Sequence, residues 1–171
     1  MTQADTKNTE QDESLAGLAG KYLTFLLEDE SYGIEILKVQ EIIGMQTITR
    51  IPRTPEYVKG VINLRGKVIP VIDLRLRFGI EAAEVSRKTC IIVVQVSKSD
   101  ASVTMGIVVD EVSEVLEISS NEIEPAPSFG TRVETSFILG MAKTEDSVKI
   151  LLDIDRIMSE EEMDALAKSA G

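Results

Sequence analysis

The feature that most constrains this chain is that it repeats itself. Residues 32–42, YGIEILKVQEI, return as MGIVVDEVSEV at residues 105–115, a constant 73 positions later. Gly33 then matches Gly106, Ile34 matches Ile107, Val39 matches Val112 and Glu41 matches Glu114. Further on, Ile48 and Pro52 match Ile123 and Pro127 at an offset of 75, and Gly60 and Asp73 match Gly140 and Asp153 at an offset of 80. Three matched blocks in one order, with an offset that grows slowly, describe a duplicated unit carrying small loop insertions. A duplication fixes architecture more firmly than local propensity does.

Each half reads as short strands separated by turn signals, which predicts two small all-β units rather than alternating strands and helices. The first hairpin is KYLTFLLEDESYGIEI, with Glu28 to Ser31 as its polar turn, and its counterpart is TCIIVVQVSKSDASVTMGIVV, with SKSDAS as the loop. In VIPVIDLRLRF, the residues Val68, Pro70, Ile72, Leu74, Leu76 and Phe78 share one parity and predict an apolar strand face. Pro70 lacks an N–H, so it is expected at a strand edge or a bulge, which suits a small barrel with bent strands. Two helices are predicted. TPEYVKG offers Thr54 as N-cap, Pro55 at the first helical position and Gly60 as the stop. Residues 159–171 form the longer one, with a Ser159–Glu162 capping box and an apolar stripe of Met163, Leu166, Ala167 and Ala170. Residues 1–19, polar and nearly without large apolar side chains, read as a disordered tail.

Composition narrows the chemistry. The 171 residues contain no histidine, which removes the commonest general base and the commonest transition-metal ligand. The single cysteine, Cys90, lies in a β-branched run and reads as a buried thiol. Neither GxxxxGK[ST] nor GxGxxG occurs, so no phosphate cradle is expected. Carboxylates cluster at Asp110, Glu111, Glu114 and Glu117 and at residues 160–162, but without the calcium-loop pattern they read as solvated acids on a strand edge and a helix start. A carboxylate enzyme working through Asp110 or Glu114 is the rival reading from another class. The longest apolar runs are strand-length and the N-terminus has no secretory pattern, so a cytoplasmic protein without membrane insertion is expected.

The formal net charge is −11, yet residues 50–77 hold seven basic side chains against Glu56 and Asp73. Nucleic acid fits such a segment poorly, because the whole-chain field repels phosphate and Tyr57 and Phe78 offer little stacking surface. An acidic protein partner fits better. The two repeats diverge most where the first has NLRGK and the second AKTED, which reverses the local charge. Arg65, next to Gly66, is therefore singled out as a recognition tip, since a guanidinium pairs two-pronged with carboxylates and recurs at interface hot spots. Helical spacing would align Ile36, Val39 and Ile43, whereas strand alternation would align Val39, Glu41 and Ile43; periodicity does not decide between them. Glu41, a charge amid apolar neighbours, is expected to pair with Arg65.

The segments YLTFLLEDESYGIEILKVQEII, ITRIPRTPEYVKGVINLRGKVIPVIDLRLRFG and IEPAP closely resemble the CheW family of chemotaxis coupling proteins, from about Lys21 to the C-terminal helix. The resemblance implies an all-β fold of two intertwined five-stranded SH3-like barrels, spanning residues 20–158, followed by the helix. It also implies a non-catalytic adaptor, without cofactor or metal, that bridges the cytoplasmic tips of methyl-accepting chemoreceptors to the regulatory domain of a histidine kinase. Carried over by motif, the partner-binding positions fall at Val39, Glu41, Ile42, Gly60, Asn63, Leu64, Arg65, Gly66 and Val68. Leu64 and Val68 are expected to face the kinase, and the groove between the barrels to take the receptor's helical hairpin.

Overall fold

The computed structural model describes residues 17–98, 101–126, 136–145, 147–159 and 161–165. Among the described residues, eleven strands form two sheets. In chain order they are β1 (Gly20–Leu27), β2 (Glu30–Glu35), β3 (Val39–Gly44), β4 (Val58–Leu64), β5 (Lys67–Asp73), β6 (Cys90–Lys98), β7 (Ala101–Val109), β8 (Glu111–Ile118), β9 (Ile123–Glu124), β10 (Ile138–Lys143) and β11 (Val148–Leu152). One sheet runs β3-β6-β7-β5-β4 and the other β8-β1-β2-β11-β10-β9. The two barrels are intertwined, as the family resemblance implies, through an exchange of hairpins that the duplication alone does not specify: β1–β2, from the first half, sits among β8–β11, while β6–β7, from the second half, sits among β3–β5. The second sheet has six strands instead of the expected five because β9 adds a short rung.

Matched positions do matched work. Gly33 faces Leu151 in the parallel β2–β11 ladder, and Gly106 faces Val71 in the parallel β5–β7 ladder. A Cβ on Gly106 would lie 2.7 Å from the Ile91 side chain of its own hairpin and 3.3 Å from Val71 of the host strand, and one on Gly33 would lie 3.2 Å from Leu151 of its host, so the repeated glycine relieves crowding on both sides of the crossing. Register shifts fall between Val58 and Gly60 on β4 and again between Ile138 and Gly140 on β10. Asp73 N donates to Tyr57 O and Asp153 N to Phe137 O, both at 2.7 Å. The β9–β10 rung Glu124–Met141 has its counterpart in the isolated bridge Thr49–Val61.

Three apolar clusters fill the molecule. Ile62, Ile69, Val71, Ile91, Val93 and Val108, with Ile43 packed against them, draw on all five strands of the first sheet and mark a barrel interior. Tyr22, Ile118, Ile123, Ala142 and Leu151 fill the second barrel. The largest cluster joins both: Phe25, Leu27 and Ile34 from the first half meet Ile92, Val94, Met105 and Ile107 from the second. Strands so placed are buried on both faces. β5, for instance, is buried continuously from Ile69 to Asp73 instead of showing the single apolar face predicted from its parity.

Several local predictions are corrected. TPEYVKG is not a helix: Thr54 Oγ1 donates to Ile51 O, Val58 N closes one turn onto Pro55 O, and from Val58 the chain pairs with β5. Burial of Val58 opposite Ile72 outweighs the capping signal. The stretch expected to end at Phe78 as a strand stops at Asp73, whose carboxylate accepts from Arg75 N and caps a single helical turn, α1 (Leu74–Arg77). Pro70 lies in the internal strand β5, one residue before its ladder to β7 begins, so only β4 flanks it there. The SKSDAS loop is shorter than expected, because Ser97 and Ser102 face each other in register. Near the C-terminus the Ser159–Glu162 capping box forms, residues 161–165 are helical and Met163 is buried; Leu166, Ala167 and Ala170 lie outside the described residues, as do residues 1–16. Leu18 packs on the second barrel's interior cluster.

Candidate functional site

The β4–β5 hairpin ends in a two-residue turn, with Leu64 facing Lys67 across Arg65 and Gly66. Both turn residues have positive φ, 50° at Arg65 and 88° at Gly66, the combination that matches the twist of the flanking strands. Glycine meets this geometry without strain, and Asn63 Oδ1 accepts from Gly66 N at 2.8 Å to hold it. Asn63 and Gly66 thus set the shape of the tip, and Arg65 is what the tip presents.

Arg65 does not wave free in solvent. Its Nη1 donates to Glu41 Oε1 at 2.9 Å and its Nη2 to Glu41 Oε2, a two-pronged pair. Glu41 belongs to β3, at the opposite end of the strand order from β4, so the pair forms where the curled sheet brings its two edges together. The Arg65 hydrogen bond is the main cause of a Glu41 pKa below the usual carboxylate value, and the same contact moves Arg65 upward. Neither spacing describes Val39, Glu41 and Ile43 fully: a register shift after Val39 sets it opposite Val94 and against the shared cluster, while Glu41 and Ile43 lie opposite Val93 and Ile91 on the side of the first barrel's interior, and Gln40 and Ile42 are exposed. A three-residue 3₁₀ turn, Ile36–Lys38, precedes them.

Of the nine residues singled out from the sequence, Asn63, Leu64, Arg65 and Gly66 form the hairpin tip, and Glu41 joins it through Arg65. Ile42 is 45% exposed and Val68 53% exposed, apolar surface beside the charged pair. Leu64 is half-buried against the first barrel's interior, and Val39 packs against the shared cluster, so each presents only part of its side chain. Gly60 does different work. It is buried with φ 140°, and a Cβ there would lie 2.0 Å from Thr49 O, so glycine is demanded by the close backbone approach beneath the hairpin. Leu37, 93% exposed just before Val39, was not singled out; its position in EILKV, out of step with the apolar residues around it, was the available signal.

One acid in each of the two clusters that read as solvated is structural, while Glu114, Glu117 and Glu161 are exposed as read. Asp110, at the end of β7, receives Arg75 Nε at 2.8 Å and Arg75 Nη2 at 2.8 Å, along with Glu28 N at 2.7 Å. Burial acts to raise its pKa, but the Arg75 and Glu28 hydrogen bonds and the Arg75 charge outweigh it and hold the group below the ordinary aspartate value. Glu162 accepts from Tyr57 Oη at 2.5 Å and from Arg77 Nη2 at 3.3 Å, while the Arg77 guanidinium lies 5.0 Å from the Tyr57 ring centroid. Burial, then the bond to Glu162, pushes the Tyr57 phenol to about 12. Cys90 is half-buried, and burial raises its thiol pKa. Among the described residues no group of three or more His, Cys, Asp or Glu is placed to hold a metal ion, and no helix is long and apolar enough to cross a membrane.

Comparison with known proteins agrees with this geometry. The CheW-like domain model matches residues 21–162. The chain is 42% identical over 152 residues to the chemotaxis protein CheW of Klebsiella aerogenes, covering 87% of this chain and 89% of the relative. It is 37% identical over 143 residues to the chemotaxis protein CheW of Rhizobium meliloti, covering 84% and 90%. The crystal structure of the scaffolding protein TtCheW from Thermoanaerobacter tengcongensis matches with a TM-score of 0.74 and 40% identity, over 84% of this chain and 95% of that one. With an exchanged-hairpin double barrel that overlays a solved scaffold of this kind and a domain match spanning nearly every described residue, the chain belongs to the CheW family of chemotaxis proteins.

Proposed function

We propose that this protein is a cytoplasmic, non-catalytic adaptor that couples the tips of transmembrane chemoreceptors to the regulatory domain of a histidine kinase and helps to assemble receptor arrays. The observation that carries the reading is the tip of the β4–β5 hairpin: a guanidinium fixed two-pronged by Glu41, flanked by exposed Ile42 and Val68. A docking surface needs an ordered charged anchor and adjoining apolar area, because side chains already held in place lose little entropy on binding. In this arrangement Leu64 and Val68 face the kinase domain, and the groove between the barrels receives the receptor's helical hairpin.

The test is a reconstitution with receptor tip fragments and kinase. Kinase activity becomes receptor-responsive only when this protein is added, and a response that is the same without it sinks the adaptor reading. In pull-down or calorimetric titrations, Arg65→Glu and Leu64→Asp each weaken binding to at least one partner by about tenfold or more. Unchanged binding of both partners by both variants removes the tip from the docking face.

A further inference from the structure

The hairpin exchange makes the covalent order of this chain differ from its physical assembly. We infer that the molecule is two interlocked half-proteins, residues 17–79 and 90–165, and that the segment joining them is dispensable: cut there, the chain stays together as the same two barrels.

Neither half owns a complete barrel. Left alone, the first half keeps the β1–β2 and β4–β5 hairpins but has nothing to set between β3 and β5, where β6–β7 belongs. The second half lacks β1–β2 between β8 and β11. Four ladders run between the halves, β1–β8, β2–β11, β3–β6 and β5–β7, so each strand of an exchanged hairpin is zipped to its host along one edge. The shared apolar cluster is likewise drawn from both halves and is the largest in the molecule.

The polar clamps point the same way. Arg75 of the first half grips Asp110 of the second; Lys38 of the first grips Asp155 of the second at 2.8 Å; Arg77 and Tyr57 of the first hold Glu162 of the second. One end of each of the first two is set by the duplication: Arg75 and Asp155 occupy matching positions 80 residues apart, each two residues past the aspartate that caps its turn, and carry opposite charges. Thr24 belongs to the same seam. It is fully buried in β1 at a register shift, and its hydroxyl donates to Glu114 O at 2.7 Å and accepts from Glu114 N at 3.2 Å, replacing the rung that the shift removes.

The join contributes little by comparison. Residues 81–88 are exposed without interruption, and residues 82–85 take part in no hydrogen bond or ion pair. Its start is tied back to the first half, where Ile80 N donates to Arg75 O and Arg75 Nη1 to Glu81 O. Its end is tied to the second by the Ser86–Thr89 turn. Between these ties Ala83, Glu84 and Val85 line the edge of a shallow basin over Arg75 and Asp110 without bonding to it, so the backbone there acts chiefly as a tether that raises the effective concentration of one half at the other.

The experiment places a specific protease site between Ala83 and Glu84 of the full chain, cuts the folded protein and follows it by light scattering and by thermal unfolding. The nicked protein keeps the mass of the intact chain at micromolar concentration, and it unfolds in one cooperative transition whose midpoint is lower than that of the uncut chain and rises with protein concentration. After separation in urea, the two pieces recombine on dilution. Pieces that part under native conditions overturn the inference. So do two independent transitions, which would give each half its own core, and an insertion that prevents folding before any cut, which would show the join to be structural.

Discussion

The tips of the two repeats are built on the same backbone plan and end in opposite chemistry. Ile42 and Val115 occupy matching positions, as do Val68 and Val148, and all four are exposed, the latter of each pair by 49%. Glu41 likewise matches Glu114. What differs is the residue across from it: Arg65 in the first barrel, where the second has Glu145. The first tip is therefore locked by an attractive pair, whereas the second sits over a shallow basin of about 330 Å3 lined by Glu114, Glu117, Glu122 and Glu145, with Lys149 also on its wall. Duplication supplied two equivalent platforms, and one charge decides which of them carries a fixed cation.

That comparison can be broken most forcefully at the glycines beneath the hairpins. Gly60→Ala forces a Cβ to within 2.0 Å of Thr49 O at a positive φ, whereas the matching Gly140→Ala meets Glu124 O at 3.0 Å with no such backbone strain. Urea unfolding should show the first variant losing about 3 kcal/mol or more, or failing to fold, and the second about 1 kcal/mol. Equal losses would mean that the two hairpins rest on their platforms in the same way.

The clamps made by the matched positions Arg75 and Asp155 give the next largest contrast. Arg75→Ala leaves Asp110 partly buried with its main partner gone and should cost about 2 kcal/mol, whereas Lys38→Ala, at a more exposed pair, should cost about 0.5 kcal/mol. Asp110 adds a pH signature. Its folded-state pKa is depressed below the unfolded value of about 3.9, so its contribution is complete above that pH and is lost as pH falls through the lower folded value. Asp110→Asn should flatten the acid limb of the stability curve in that window, and a limb of unchanged slope would remove the clamp from the account.

The smallest effect tests the comparison most directly. Glu145→Arg places a guanidinium opposite Glu114 and should create a second locked tip, read as a salt-sensitive coupling between positions 114 and 145 in a double-mutant cycle. Stability should barely move, since both groups are at the surface. No coupling would mean that the second platform is shaped differently at its end.

These contrasts also show how far the residues alone carry. The duplication was visible because Gly33, Gly60, Asp73 and their partners answer backbone demands that admit few substitutes. The pairing of Glu41 with Arg65 was visible because a lone charge in an apolar run needs a partner. The hairpin exchange was not, since equal offsets place two copies in register without saying which copy hosts which hairpin. TPEYVKG misled because its caps are local, whereas the pairing of Val58 with Ile72 is made from another strand. Asp110 was misread for a similar reason: its partner Arg75 is 35 residues away and meets it only after β5 and β7 lie side by side.

The Glu41–Arg65 fork has one more consequence. With the acid shifted downward, the base shifted upward and no imidazole anywhere in the chain, nothing in this contact gains or loses a proton across the acidities that living cells pass through. Surroundings can turn sour or alkaline while this joint keeps the same charge, leaving acidity to be sensed elsewhere.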